Sequence, residues 1–137
     1  MAYVYTSEGT TGQMELFLNG VSIGTGPFDP AQLLFDGFLS IGRLGSDVNV
    51  NAVFDGSIDE VRMWRTARTQ AEIVDNMHHS VPSSPDLVYY YRFEDNGPPQ
   101  VLDHGPNGLH GTLHGGIFDA VNVPPGFVVN EPVDCGL

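Results

Sequence analysis

Six carboxylates, Asp55, Asp59, Glu60, Glu94, Asp95 and Asp103, fall in or beside Gly- and Asn-rich stretches of this 137-residue chain. Calcium takes about six to eight oxygens from carboxylates and carbonyls where the backbone can curl around the ion, so residues of this type can hold it. The competing role is turn capping and surface solubility, which occupies most acidic side chains. Five histidines raise zinc instead, with His104, His110 and His114 closest in sequence. Extended backbone over 109–114 places His110 and His114 on one face but roughly 13 Å apart. That is too far for one ion with ligands at ~2.1 Å. His78 and His79 are adjacent at a helix end, where the terminal carbonyls suffice to explain a histidine.

Hydrolytic chemistry on sugars would need two carboxylates about 5–5.5 Å apart. Asp59 and Glu60 are neighbours, and in an extended strand neighbours point to opposite faces. The chain contains no Gly-x-Ser-x-Gly elbow, no Cys–His pair in a catalytic setting and no phosphate-cradling Gly loop opening a helix. It is therefore expected not to be an enzyme. Sugar binding without chemistry needs less: an aromatic ring for the apolar face of a pyranose, with carboxylates or amides for its hydroxyl rim. Tyr3, Tyr5, Trp64, Tyr90 and the acids near them are candidates. A lone Trp at the end of an amphipathic strand is more often explained by packing under the helix that follows.

The elements that must position these groups are short. Seventeen Gly and ten Pro interrupt the chain too often for a helical bundle. With 41% hydrophobic and 16% charged residues the chain can bury a core, and its length suits one domain. Seventeen acidic residues against five Arg and no Lys leave a net charge of −12. That balance argues against nucleic acid, whose binders need a positive face. No stretch reaches the ~18–20 apolar residues of a membrane span, so no membrane insertion is expected. Met1 and Ala2 run straight into a strand-like YVYT, so this start is expected to be a fragment boundary. Cys135, the single cysteine, is either a free thiol near the tail or half of a bridge to another chain.

MELFL alternates, with Met14, Leu16 and Leu18 on one face and Glu15 and Phe17 on the other. Asn19-Gly20 follows, suited to both positive-φ positions of a type I′ turn, so 14–18 is predicted to pair with 21–24. A Gly-, Pro- and Asp-rich loop over 24–32 leads to a strand in FLSIGRL at 38–44. SIDEVRMW at 57–64 is strand-like but breaks period, because Ile58 to Val61 is an odd step. A β-bulge near Asp59 and Glu60 would restore one buried face. Thr69-Gln70-Ala71-Glu72 is a capping box and predicts one helix of about 8–10 residues, with Ile73, Val74 and Met77 on one side. LVYYYRF at 87–93 is apolar on both faces and predicts a central strand. LHGTL at 109–113, GIFDAV at 116–121 and FVV at 127–129 complete the strands.

Taken in order, LFLNG, a strand ending SIG, FDGSIDEVRMW, TQAEI, YYRF and the turn DHGPNGLHG resemble the laminin-G-like, concanavalin A-like lectin/glucanase superfamily, over roughly residues 2–116. The resemblance implies an all-β fold: a jelly-roll-like antiparallel β-sandwich with one short helix, forming a single domain over 1–137, with 117–137 a loosely ordered C-terminal extension. A full family domain usually carries further strands ahead of this start, so the chain is either the C-terminal part of a longer domain or a shortened jelly roll. An exposed sheet face or edge would then favour a dimer or higher homo-oligomer. The resemblance also implies one structural Ca²⁺, nominating Asp59 and Asp103, with Asp95 and the backbone near Asn107 as further ligands. The glucanase relatives carry E-x-D-x-x-E on one strand, and this chain has no such string. The implied role is a carbohydrate-binding or adhesion module of an extracellular or cell-surface protein, with a glycan or extracellular protein as partner. The alternative is a self-associating structural or protein-interaction module that binds no sugar.

Overall fold

The computed structural model describes residues 1–32, 39–42, 54, 56–94 and 99–113. Three strands open the chain: β1 (Ala2–Glu8), β2 (Thr11–Leu18) and β3 (Val21–Phe28). They form an antiparallel meander in the order β1-β2-β3. The predicted turn is present, with Asn19 and Gly20 at φ +50° and +76°, and Leu18 pairs with Val21 across it. β3 continues to Phe28 instead of ending near 24. The predicted loop is strand as far as Phe28 because β2 is long enough to pair all of it, down to Gly12 opposite Phe28. A register shift between Leu16 and Phe17 takes up one extra residue of β3.

Faces and burial part company in β2. Alternation is as predicted, yet Phe17 is the buried residue while Leu18 is 48% exposed. Helix α1 (Gln70–Asn76) belongs to the same compact unit, Met1–Gly37 with Thr66–Val81. Its capping box is complete: Thr69 Oγ1 accepts from Glu72 N, and Thr69 N donates to Glu72 Oε2 at 2.8 Å. Helix and hairpin turn are held together by Gln70 Nε2 donating to Gly20 O at 2.9 Å. A Cβ on Gly20 would lie 2.6 Å from Val74 Cγ2. The helix has seven residues, shorter than predicted, and none of them is fully buried.

The second unit, Phe38–Arg65 with Pro82–Leu137, is built on β4 (Val61–Trp64) and β5 (Leu87–Tyr91), which pair antiparallel. β4 is shorter than SIDEVRMW predicted. Glu60 sits just before it at φ +53°, so the break in period is a left-handed residue at the strand's start and not a bulge within the strand. A register shift occurs at the other end, between Met63 and Trp64. β5 ends at Tyr91, before Phe93 at φ +53°. It is covered on both faces as expected, with Leu87, Tyr90 and Tyr91 all buried. Tyr91, Phe93 and Val101 form the core cluster, with Ile41, Ile58, Val61, Tyr89 and Leu113 packed against it. β6 (Gln100–Val101) pairs with β7 (Gly111–Thr112), so the strand predicted over 109–113 is shorter than expected and begins only after the loop that ends at His110. Within FLSIGRL only 39–42 are described, and they are not strand. Asp55, Asp95, His114, the predicted strands at 116–121 and 127–129, the extension 117–137 and Cys135 lie outside the described residues.

Candidate functional site

The nominated carboxylates have different surroundings. Asp103 is 7% exposed, and its backbone bridges to Tyr91. Its Oδ1 accepts from Tyr90 N at 2.8 Å and from Gly105 N at 2.7 Å, and its Oδ2 accepts from Leu109 N at 2.8 Å. Its own N–H donates to His110 Nδ1 at 3.0 Å. Burial pushes the carboxyl upward. The three backbone N–H donors and the nearby His110 outweigh that and hold it below the ordinary carboxylate value. Gly105 is required beside it, since a Cβ there would lie 2.9 Å from Oδ1. Asn107 Nδ2 donates to Val88 O at 2.7 Å, and Tyr91 Oη donates to Leu109 O at 2.5 Å. The loop 103–110 is thus stitched to β5 by one carboxylate, one amide and one phenol. Desolvation, together with the Asp103 charge, pushes the Tyr91 phenol up.

Asp59 Oδ1 accepts from Glu60 N at 2.8 Å, which fixes the left-handed turn at Glu60. Glu60 is thereby swung into a charge network that the sequence did not announce. Its Oε2 takes the Tyr90 hydroxyl at 2.5 Å and pairs with Arg62, whose guanidinium carbon lies 4.9 Å from the Tyr90 ring centroid. Arg92 stands 4.0 Å from Glu60 Oε1 and pairs with Glu94 at 2.5 Å. Burial lowers the Arg62 pKa, partly opposed by Tyr90 and Asp59. Arg62 and Tyr90 are cross-strand partners, a register that periodicity alone could not supply. Among the described residues no three His, Cys, Asp or Glu side chains gather as a metal ion would need. The oxygens of Asp103 face backbone donors, and the Asn107 amide is spent on β5 carbonyls.

The aromatic candidates separate cleanly. Tyr90 is 2% exposed and Trp64 is half-buried, whereas Tyr3 is 50% and Tyr5 42% exposed. Pairing aligns three rungs across the first sheet: Tyr3, Leu16 and Gly24; Tyr5, Met14 and Gly26; Ser7, Gly12 and Phe28. Residues of one rung share a face, so the two exposed rings stand beside Met14 and Leu16, with two glycines beyond. Phe28 meets Tyr5 edge-on with centroids 5.2 Å apart. It lies close over β2 because Gly12 has no side chain; a Cβ there would be 2.5 Å from Phe28 Cδ1. At that end of the sheet a depression of about 290 Å³ is lined by Thr10, Thr11, Gly12, Pro27, Phe28 and Asp29. Tyr3 and Tyr5 were legible as candidates, whereas Phe28 and the depression were not. The signal available for them was a glycine within one strand opposite an aromatic in the next.

No helix among the described residues is long and apolar enough to cross a membrane. Neither curated proteins nor solved structures yield a match to the chain. A family model does match, spanning the three-stranded sheet, the FDGSIDEVRMW segment and the start of α1, and its description agrees with the antiparallel strands and single short α-helix seen here. Through residues 1–74, more than half its length, the chain belongs to the concanavalin A-like lectin/glucanases superfamily, whose fold is a jelly-roll β-sandwich.

Proposed function

We propose that the chain is a non-catalytic carbohydrate-binding or adhesion module of a secreted or cell-surface protein. The observation that carries this reading is the exposed aromatic face of β1–β3, where Tyr3 and Tyr5 are open and Phe28, edge-on to Tyr5, lines a depression supplied with hydroxyls and one carboxylate. Such a surface meets both sides of a sugar, its apolar C–H face and its hydroxyl rim. Non-catalytic action is supported by the Asp59-Glu60 pair, the nearest approach in the sequence to two catalytic carboxylates: Asp59 accepts from the Glu60 amide, and Glu60 is engaged by Arg62 and Tyr90. A glycan array probed with the purified chain in millimolar calcium, and again in chelator, tests the proposal. Binding to a defined set of glycans is expected, and a blank array in both conditions rejects it.

The structural Ca²⁺ implied by family membership would have to draw on Asp59 and on the neighbourhood of Asp95. If it binds there, Asp59→Ala lowers the melting temperature in calcium and leaves it unchanged in chelator. Equal losses in both assign Asp59 to its turn at Glu60 and remove the ion.

A second reading rests on a different patch. Leu18, Val21 and Ile23, around the β2–β3 turn, are 48%, 59% and 56% exposed. Apolar side chains grouped in this way favour self-association. Sedimentation across a range of concentrations tests it: a homo-oligomer that Val21→Lys and Ile23→Lys disperse supports assembly, and a monomer throughout rejects it.

A further inference from the structure

We infer that the ligand taken by the β1–β3 face is an uncharged polysaccharide chain and that sulfated and uronic-acid polymers are refused; this rests on the carbohydrate-binding reading above. The three rungs present Tyr3, Tyr5, Ser7, Gly12, Met14, Leu16, Gly24, Gly26 and Phe28, without a single charged side chain. The unit as a whole is acidic. Among its described residues Glu8, Glu15, Asp29, Glu72 and Asp75 stand against Arg68 as the sole Arg or Lys. Arg68 is itself paired with Glu72 at 2.8 Å. Polyanions are held by cations that replace their counterions, and the face itself presents none while the unit is acidic in balance. A sulfated chain laid on the face would meet a net negative unit and no cation among the three rungs, and Asp29 in the depression adds to the repulsion.

The shape selects a chain over a single sugar. Tyr3 and Tyr5, two residues apart on one strand, have backbones about 7 Å apart along it, so two rings in series offer a platform that an oligosaccharide covers better than a monosaccharide. Across the sheet, a Cβ on Gly24 or on Gly26 would meet nothing within 4 Å. The floor there is bare backbone, as strand glycines leave where a ligand approaches closely. The aromatic side is ordered in advance, because Phe28 rests over Gly12 and braces Tyr5. Preorganisation of this kind reduces the entropy lost on binding.

Affinity electrophoresis of the full chain tests the inference, in low-salt gels containing β-glucan, xylan or mannan and in parallel gels containing heparin or alginate. Retardation is expected in at least one neutral gel and in neither anionic gel. Tyr3→Ala and Tyr5→Ala are each expected to weaken the neutral interaction by about tenfold or more, the size of one lost ring contact. Gly24→Val guards against misfolding of those variants, since a β-branched residue suits the strand and the space above Gly24 is open. It is expected to leave circular dichroism unchanged while blocking the floor. Retention by heparin or alginate, or neutral binding that Tyr3→Ala, Tyr5→Ala and Gly24→Val leave untouched, overturns the inference but leaves the carbohydrate reading standing. A salt-insensitive dimer that these variants disperse replaces the glycan with a second copy and overturns it as well. No retardation in any gel, joined to a blank glycan array, rejects both.

Discussion

The Asp103 loop and the β1–β3 face differ in what their polar and aromatic groups are doing. Around Asp103, every oxygen of the carboxylate already has a backbone donor, and Tyr90 and Tyr91 are buried with their hydroxyls engaged. On β1, chemically identical tyrosines are about half exposed beside Leu16 and Met14, with strand glycines under open space one strand further on. A residue type therefore indicates nothing about role until its partners are known. Satisfied groups hold the molecule together, and exposed, preorganised ones are available to a ligand.

The strongest way to break this comparison is Asp103→Ala. Removing the carboxylate strands three backbone N–H groups of Tyr90, Gly105 and Leu109. A loss of about 3 kcal/mol or more is expected, at 1–3 kcal/mol for a buried donor left without an acceptor and without full additivity. Urea unfolding followed by Trp64, the single Trp of the chain and a β4 residue of the same unit, measures it. A loss under about 1 kcal/mol would mean that water or neighbouring groups replace the carboxylate.

Glu60→Ala comes next. It leaves Arg62 and the Tyr90 hydroxyl without their shared acceptor in a partly buried setting, and about 2 kcal/mol is expected. If Glu60→Gln costs as much as Glu60→Ala, charge and not shape holds the network. Near equality of Glu60→Gln with the wild type would reduce it to an ordinary hydrogen bond.

Acid sharpens the same contrast. The Asp103 carboxyl titrates below its ordinary value in the folded chain, so the unfolded state binds the proton more readily. Its stabilisation is complete above the unfolded value, about pH 4, and is lost as pH falls through the lower folded value. The melting temperature read through Trp64 is expected to fall below about pH 4. Asp103→Asn starts from a lower melting temperature, and its curve should be flatter over that window. Parallel curves would assign the acid sensitivity to other carboxylates.

The smallest effect belongs to the open face. Tyr3→Ala removes a half-exposed ring from an outer strand and is expected to change stability by about 0.5 kcal/mol. A cost near 2–3 kcal/mol, the scale of a buried large side chain, would place Tyr3 in the packing and not in a binding surface.

The features legible in the sequence are those encoded within a few residues. Asn19-Gly20 makes its turn because both residues accept positive φ, and Thr69 with Glu72 closes its cap across three positions. Both-face apolarity in LVYYY marked a strand covered on each side, and the family resemblance was carried by contiguous strings. Burial was less legible. Alternation divided β2 correctly into two faces, yet Phe17 and not Leu18 is buried, since alternation says which residues share a face and not which face is covered. The break at 57–60 was visible, and its form, a left-handed Glu60 pinned by Asp59, is local, but the side-chain partner it meets, Tyr90 on β5, is not.

By itself, then, the sequence determined the class of the fold, its turn and cap chemistry, a strongly negative net charge, and the short list of tyrosines from which a sugar platform could be drawn. Tertiary structure alone decided which tyrosines are exposed, that Asp103 spends its oxygens on backbone amides, that Glu60 joins Arg62 and Tyr90, and that Phe28 settles over Gly12. The physical reason is range. Backbone conformation at a turn or a cap is set by neighbours one to four positions away, whereas the Glu60–Tyr90 and Tyr90–Asp103 bonds join residues 30 and 13 positions apart. Only the strand register brings such groups into contact.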